Sequence, residues 1–116
     1  MIREPFPLED MKKILGKYNK EGIIISNHYL RYLDIGKRDI DSNEIIRFLL
    51  EEEFYFVEKQ INSWTRYKII YEISSKYDLV VVVKLDEKIL KVVSAYKTNR
   101  KLKELWKKKF KSLMTK

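Results

Sequence analysis

The sequence predicts an α+β fold in which N-terminal helices pack on a four-stranded, mainly antiparallel sheet, with a basic amphipathic helix at the C-terminus. Two observations predict this fold class. Apolar residues recur with a helical period up to about residue 50, whereas from Phe54 onward they alternate with the two-residue period of strands. The alternating segments also follow one another through short links, which is typical of an antiparallel meander.

Two helices are predicted in the first third of the chain. Apolar side chains keep helical spacing over residues 8–18, and Gly22 ends that segment. Residues 23–25 then form a very short extended piece. Ser26 can cap the second helix, which is predicted over roughly residues 27–36.

The third helix and the strands follow. Asp41 or Ser42 caps this helix, and Glu44 stands in capping-box position relative to Asp41. Four strands are predicted over residues 54–61, 65–73, 79–83 and 88–97. Helical spacing returns over about residues 99–115, at Leu102, Leu105, Trp106, Phe110 and Leu113. This last helix is expected to dock on the body through Leu105, Trp106 and Phe110, and to present its lysines to a polyanion.

Length and composition favour a single domain over residues 1–116, with a body of about residues 23–100 before the basic C-terminal helix. The absence of cysteine removes disulfides, thiolate nucleophiles and cysteine metal sites. No apolar run is long enough to span a bilayer, and no signal peptide is evident at the start. A cytoplasmic protein without membrane contact is therefore expected.

The positive charge is concentrated at one end of the chain. The formal net charge is +8, and residues 91–116 carry ten basic side chains against one acidic. A localised basic patch concentrates polyanions, of which nucleic acid is the commonest. The alternative is a solvated helix face with no ligand.

His28 is the only histidine in the chain and the first candidate for chemistry. Helical spacing places it on one face with Arg31 and Tyr32, away from the apolar side chains of its helix. Such a histidine is suited to proton transfer at neutral pH, or it is an exposed residue without a role.

The last predicted strand carries the second candidate site. Two-residue alternation places Ser94, Tyr96 and Thr98 on one face, where their hydroxyls can line a phosphate site. It places Lys97 on the opposite face, with Lys91, Val93 and Ala95. The alternative is ordinary strand packing, since tyrosine and threonine are good strand formers.

Further candidates are less specific. Arg66 and Lys68 alternate along a strand and either bind phosphate or protect a sheet edge. Trp64, Tyr67 and Tyr71 either stack on bases or belong to the core. The three glutamates at 51–53 diverge around a helix and suit a solvated helix end better than a metal site. Neither a metal nor a cofactor is expected.

Short motifs in this order resemble the barnase/EndoU/colicin/RelE-like ribonuclease superfamily, in particular its phage- and plasmid-associated members and the BrnT-type toxins. The motifs are "ISNHYLRY", with Ser26 and His28; "DIDSNEI", with Ser42 to Ile45; and "LVVVVKLDEKILKVVSAYKTNRK", with Ser94 to Tyr96. The resemblance covers about residues 23–100.

This resemblance implies a toxin-like, metal-independent endoribonuclease, in which the 2′-hydroxyl of RNA attacks the adjacent phosphorus. His28 would be the general base or acid, and Tyr96 and Thr98 would contact the scissile phosphate. Arg31 and Lys97 would supply positive charge. The sequence departs from the family in having one histidine, in Lys97 where many relatives have proline, and in serine at 94 where they often have threonine. Tyr96, Lys97 or another group would then have to supply the second proton.

The alternative function is a non-catalytic nucleic-acid-binding module on the same scaffold. The residues predicted to hold nucleic acid are Arg66, Arg100, Lys101, Lys107 and Lys108. An acidic antitoxin-like protein is a further partner that is compatible with either function.

Overall fold

The computed structural model describes residues 2–34, 40–62 and 64–99. The helices of this part are α1 (Leu8–Leu15), α2 (Asn27–Asp34) and α3 (Ser42–Glu51), with a 3₁₀ turn over Lys20–Gly22. The strands are β1 (Ile2–Pro5), β2 (Ile23–Ile25), β3 (Phe56–Ile61), β4 (Thr65–Glu72), β5 (Tyr77–Leu85) and β6 (Leu90–Asn99). Across these ranges, the strands contain more residues than the helices.

The six described strands form one mixed sheet in the order β1-β3-β4-β5-β6-β2. The strands β3, β4, β5 and β6 follow one another through short turns, and each pairs antiparallel with the next. The β1 strand also pairs antiparallel, with β3. The β2 strand instead runs parallel to β6, with Ile23 opposite Leu90 and Ile25 opposite Val92. The two edges of the sheet are therefore both formed by the N-terminal part of the chain.

The predicted architecture of N-terminal helices on a four-stranded, mainly antiparallel sheet was wrong, although helices and a sheet do combine as in an α+β fold in the broad sense. The β1 strand was missed because its side chains are mostly exposed and show no apolar alternation. The three residues of β2 were read as an isolated extended piece because nothing local reveals pairing with a strand near residue 90. The predicted C-terminal helix lies outside the described residues.

Two predicted helix caps are confirmed. The Asp41 carboxylate accepts a hydrogen bond of 2.9 Å from the Glu44 amide at the start of α3. The Ser26 hydroxyl accepts one of 3.2 Å from the Tyr29 amide and donates one of 3.3 Å to the Val93 carbonyl. Ser26 therefore both caps α2 and fixes the start of this helix against β6.

One side of the sheet, here called the helix face, carries the main core. It buries side chains of the strands against α1, α2 and α3, at Met11, Leu15, Tyr29, Ile45, Leu49, Val57, Ile69, Tyr71, Leu79, Val81, Val83, Leu90, Val92 and Ala95. The Tyr71 ring packs edge-on against Phe48 and Phe54. Burial raises the pKa of the Tyr71 hydroxyl far above its usual value, and the negative charge of Glu52 raises it further.

The opposite side of the sheet is here called the distal face. Alternation and register assign to it Phe56, Glu58, Gln60, Arg66, Lys68, Ile70, Glu72, Asp78, Val80, Val82, Lys84, Lys91, Ser94, Tyr96 and Thr98. Its apolar centre is a second cluster made of Phe56, Ile70, Val80 and Val82, with Val93 and Tyr96 against it.

No helix in the described ranges is long and apolar enough to cross a membrane.

A β-bulge in β6 corrects the predicted face of two residues. Val83 pairs with Val92 but Val82 pairs with Ser94, so Val93 is an additional residue on β6. Two-residue alternation is interrupted there. Lys91 and Val93 therefore lie on the distal face with Ser94, not on the opposite face as strict alternation predicted.

Candidate nucleic-acid interface

Three cations lie side by side at one end of the distal face. Lys84 is opposite Lys91, and Arg66 lies across from Lys84 because each directly follows the Tyr67–Val83 pair in the register. These three residues, here called the basic row, occupy three adjacent strands, which lie about 4.8 Å apart. Both lysines are exposed and the arginine is half-buried.

The basic row forms no ion pair among the described residues, although the buried Glu58 lies one row away on the same face. Within the described ranges, the ion pairs are Lys12–Glu9 and Arg47–Glu52, and neither involves the row. Like charges directly opposite each other on a sheet are destabilising. A surface that keeps them in register is suited to an anionic ligand, which would remove the repulsion.

Trp64, in the turn between β3 and β4, stands beside this row. Its side chain is 49% exposed, with the Arg66 guanidinium 5.1 Å and the Lys84 ammonium 5.3 Å from the ring centroid. Gln60, Asn62, Trp64 and Arg66 line a small cavity of about 80 Å³. An exposed indole among cations combines a stacking surface for a base with charge for the neighbouring phosphates.

The other end of the distal face is acidic. Asp78 is fully buried and accepts a hydrogen bond from the Tyr55 hydroxyl. Glu72 lies opposite Asp78 at the same end. Glu58, which is 2% exposed and accepts a 2.9 Å hydrogen bond from the Gln60 amide, instead lies opposite Lys68 in the row next to the basic row. The charge on this face therefore runs from cationic at the Lys91 end of β6 towards anionic at its Thr98 end.

The hydroxyl-bearing residues of β6 lie away from the basic row. Ser94 and Tyr96 are half-buried, and Tyr96 packs against the apolar cluster of Phe56 and Ile70. Thr98 is opposite the buried Asp78, roughly 20 Å along the strand from Lys91. Lys97 is exposed and extends from the helix face, where it is paired with Leu79. The structure thus places Tyr96 and Thr98 on one face, as alternation predicted, but beside a carboxylate.

His28 and Arg31 are both exposed on α2. Ser26 fixes the first turn of this helix to the Val93 carbonyl, so His28 lies at the sheet edge formed by β6 and β2. The Tyr29 side chain turns into the core, where its hydroxyl donates a 2.7 Å hydrogen bond to the Ile40 carbonyl. The Ser26 cap therefore holds α2, which carries His28, against β6, but α2 packs on the helix face whereas Tyr96 and Thr98 lie on the distal face.

The remaining predicted positions divide into two groups. Arg66 belongs to the basic row, whereas Arg100, Lys101, Lys107 and Lys108 lie outside the described residues. Tyr67 and Tyr71 are buried in the core, so of the two alternatives for these rings the structure supports core packing.

The glutamates at 51–53 are exposed beside a cleft of about 480 Å³ between α1 and the end of α3. They make this cleft a poor site for a polyanion. Across residues 2–34, 40–62 and 64–99, no group of three or more histidine, aspartate or glutamate side chains could hold a metal ion.

Sequence reasoning did not identify Lys84 and Lys91 as parts of a site. Each is an isolated lysine in the sequence, and only the register of three strands brings them together with Arg66. Because of the bulge at Val93, strict alternation along β6 assigns Lys91 to the wrong face of the sheet. A signal was nevertheless present, because Lys84 and Lys91 flank the short β5–β6 turn at symmetric positions.

Comparison with other proteins adds no assignment to this geometry. No family model, curated protein or solved structure matches the chain.

Proposed function

We propose that this protein binds single-stranded nucleic acid, with RNA as the expected ligand, through the basic row and Trp64. The observation that carries the proposal is the alignment of Arg66, Lys84 and Lys91 on three adjacent strands without an acidic partner among the described residues. Phosphate groups of a polynucleotide would neutralise this repulsive alignment.

The position of Trp64 favours a single strand over a duplex. Bases of a single strand are free to stack on an exposed aromatic ring, and such stacking is tolerant of sequence. The cations of Arg66 and Lys84 lie 5.1 and 5.3 Å from the ring centroid, so one nucleotide can stack its base on the ring and bring its phosphate to a cation. The proposed complex is therefore held by charge and stacking, with little base selectivity.

The test is a charge-removal variant with a matched control. Arg66→Gln, Lys84→Gln and Lys91→Gln together should weaken binding of a single-stranded RNA and flatten its salt dependence. Each lost phosphate contact lowers the slope of log K against log salt by about 0.7, so the full variant should lose up to about 2. Fluorescence anisotropy titrations at several salt concentrations measure both quantities.

The control removes the same charge elsewhere. Lys13, Lys17 and Lys20 are exposed on the helical side of the molecule. Their replacement by glutamine should leave the slope near that of the wild type. Trp64→Ala should weaken binding about tenfold, which corresponds to stacking of one base at about 1.4 kcal/mol. An equal loss in the two triple variants would mean that net charge alone attracts RNA and would overturn the assigned site.

RNA cleavage is a second candidate function. It is favoured by the Ser26 cap, which fixes the helix of His28 to β6, the strand that carries Lys97 on the helix face and Tyr96 and Thr98 on the distal face. In this hypothesis His28 moves a proton, and Arg31 and Lys97 supply charge. The buried Asp78 opposite Thr98 weighs against a phosphate at that end of the strand, which is why binding is placed first.

Incubation of the purified protein with RNA in EDTA distinguishes the two functions. Cleavage predicts fragments that end in cyclic phosphate and that disappear with His28→Ala, while this variant retains RNA binding. Asn27→Ala, at the neighbouring exposed position, is the matched control and should cut like the wild type. Intact RNA with both the wild type and His28→Ala would leave binding as the function and remove cleavage.

A further inference from the structure

The apolar centre of the distal face is more completely buried than the described residues around it explain. Phe56, Ile70, Val80 and Tyr96 pair in register as one row across four strands. Of these, Phe56 is 3%, Ile70 1% and Val80 0% exposed. The buried residues of α1, α2 and α3 all belong to the cluster on the helix face. Within the described ranges, only side chains at the margin of the distal face pack against this row.

We propose that the distal face is the docking surface of the chain's own C-terminal segment, residues 100–116. The described chain ends at Asn99, the last residue of β6, which is itself part of this sheet. The path back along β6 from Asn99 to Lys91 is about 26 Å at strand spacing. Seventeen residues with helical spacing would span about 25 Å. The segment is therefore long enough to cross the whole face.

The sequence of this segment matches the surface in apolar pattern. Its apolar residues recur at helical spacing, at Leu102, Leu105, Trp106, Phe110 and Leu113. An apolar stripe of this width requires a partner surface, and the row of Phe56, Ile70 and Val80 requires a cover. Docking of the apolar stripe on this row would provide both the partner surface and the cover.

The charges are complementary at the end of the face where the segment begins: Glu72 and Asp78 lie at the Asn99 end of β6, and the basic row lies at the opposite end. The distal face holds the buried carboxylates of Glu58 and Asp78, whereas Glu104 is the only acidic residue in a segment with eight basic ones. The docked segment would also extend the positive surface that begins at the basic row.

Fluorescence of the full-length protein tests the contact. The chain has two tryptophans, so Trp64→Phe leaves Trp106 as the only indole. Docking predicts blue-shifted emission and protection from iodide or acrylamide, both lost when urea unfolds the protein. Emission and quenching equal to those of the unfolded chain would overturn the proposal. The measurement requires neither truncation nor RNA, so its outcome is independent of the proposed function.

Cross-linking identifies the face and the occupant. Because the chain has no cysteine, Val82→Cys can be combined with Leu105→Cys, Trp106→Cys or Phe110→Cys, one pair at a time. At least one pair should form a disulfide within the monomer, because a disulfide requires α-carbons closer than about 7 Å. Leu50→Cys, exposed on α3 across the sheet, is the matched control and should not cross-link with the same positions.

Two results would contradict the assignment. Disulfide-linked dimers without monomeric cross-links would make a second copy of the chain the occupant of the distal face. Equal cross-linking with Val82→Cys and the Leu50→Cys control would show that the segment does not select a face.

Discussion

The helix face and the distal face of the sheet each bury an apolar cluster, but they differ in the size of that cluster and in the chemistry around it. On the helix face, apolar side chains of the strands meet apolar side chains of three helices, and charged groups stay at the periphery. On the distal face, a smaller apolar cluster lies between the basic row and the buried Asp78, and the buried Glu58 lies on the same side of it as the basic row. One face therefore contributes mainly to stability, whereas the other also carries the charged groups on which the proposed function rests.

Under the proposed function, one sheet serves two purposes: the helix face stabilises the fold and the distal face also binds the ligand. β4 and β5 contribute mainly leucine, valine, isoleucine or tyrosine to the helix face, and arginine, lysine or an acidic residue to the distal face at several of the alternate positions. Stability requires only that apolar positions find a cover. Recognition of an anionic ligand would require that charges on separate strands come into register, and only the distal face shows such an alignment among the described residues.

The largest expected effect compares Ile69 and Ile70, neighbours of one residue type on opposite faces. Ile69 is 0% and Ile70 1% exposed, so each isoleucine to alanine change should cost about 2–5 kcal/mol in the free energy of unfolding. Urea denaturation measures both. Similar costs would mean that the two faces are equally well covered.

The control for this pair is Ile24→Ala on β2, where the side chain is 44% exposed. This change should cost within about 0.5 kcal/mol, because little burial is lost. If Ile70→Ala resembles Ile24→Ala and not Ile69→Ala, the distal face is open to water and its proposed cover is absent.

A smaller effect concerns the Tyr71 hydroxyl, which is buried without a hydrogen-bond partner among the described residues. Tyr71→Phe removes this unsatisfied group and should raise the free energy of unfolding by about 1 kcal/mol at neutral pH. Burial raises the pKa of Tyr71 in the folded state. Its contribution is therefore fully present below the unfolded value of about 10, and is lost as pH rises above it.

The variant should accordingly lose less stability than the wild type when unfolding is measured at increasingly alkaline pH. Tyr77→Phe is the control, because Tyr77 is 48% exposed, and it should follow the wild-type profile. A Tyr71→Phe profile parallel to that of the wild type would show that this hydroxyl does not titrate in a buried setting.

The smallest effect tests the basic row against stability. Lys91→Glu replaces a repulsive pair with Lys84 by an attractive one and should stabilise the fold by about 0.5 kcal/mol at low salt. High salt should remove most of this gain, while RNA binding should weaken in both conditions. Thermal unfolding and anisotropy measured on the same samples check the two expectations.

Lys88→Glu, in the exposed turn between β5 and β6, is the matched charge reversal. It should change RNA binding less than Lys91→Glu does. A loss of stability in Lys91→Glu would show that the aligned cations do not repel one another, and the argument for an anionic ligand would lose its basis.

The parts of the fold that sequence predicted are those fixed by local chemistry. Ser26 and Asp41 cap helices because their oxygens reach amides three residues later, and that spacing is visible in the sequence. Three strands of the meander were visible by alternation, and the strand over residues 79–83 by its uninterrupted apolar run, which is typical of a strand covered on both faces. The sheet edges were not, because β1 and β2 join through backbone pairing with residues more than fifty positions away.

The candidate site was harder to predict for the same reason. Arg66 was identified as a possible phosphate ligand, but its two companions depend on the register of β5 and on an extra residue at Val93. The bulge places Lys91 on the distal face, and strict two-residue alternation cannot predict a bulge. Tyr96 and Thr98 were correctly placed on one face, while the carboxylate of Asp78 opposite them was not foreseen.

The parallel pairing of β2 with β6 has a consequence for the order in which the molecule assembles. The strands of the β3–β6 meander meet through short turns, whereas the bond from Ser26 to Val93 joins residues 67 positions apart. Closing so long a loop costs more chain entropy, and its contacts appear only after β6 has been placed. We expect the meander to form early and β2 to join it late. The exposed His28 would then take its position beside β6 only in the final stage of folding.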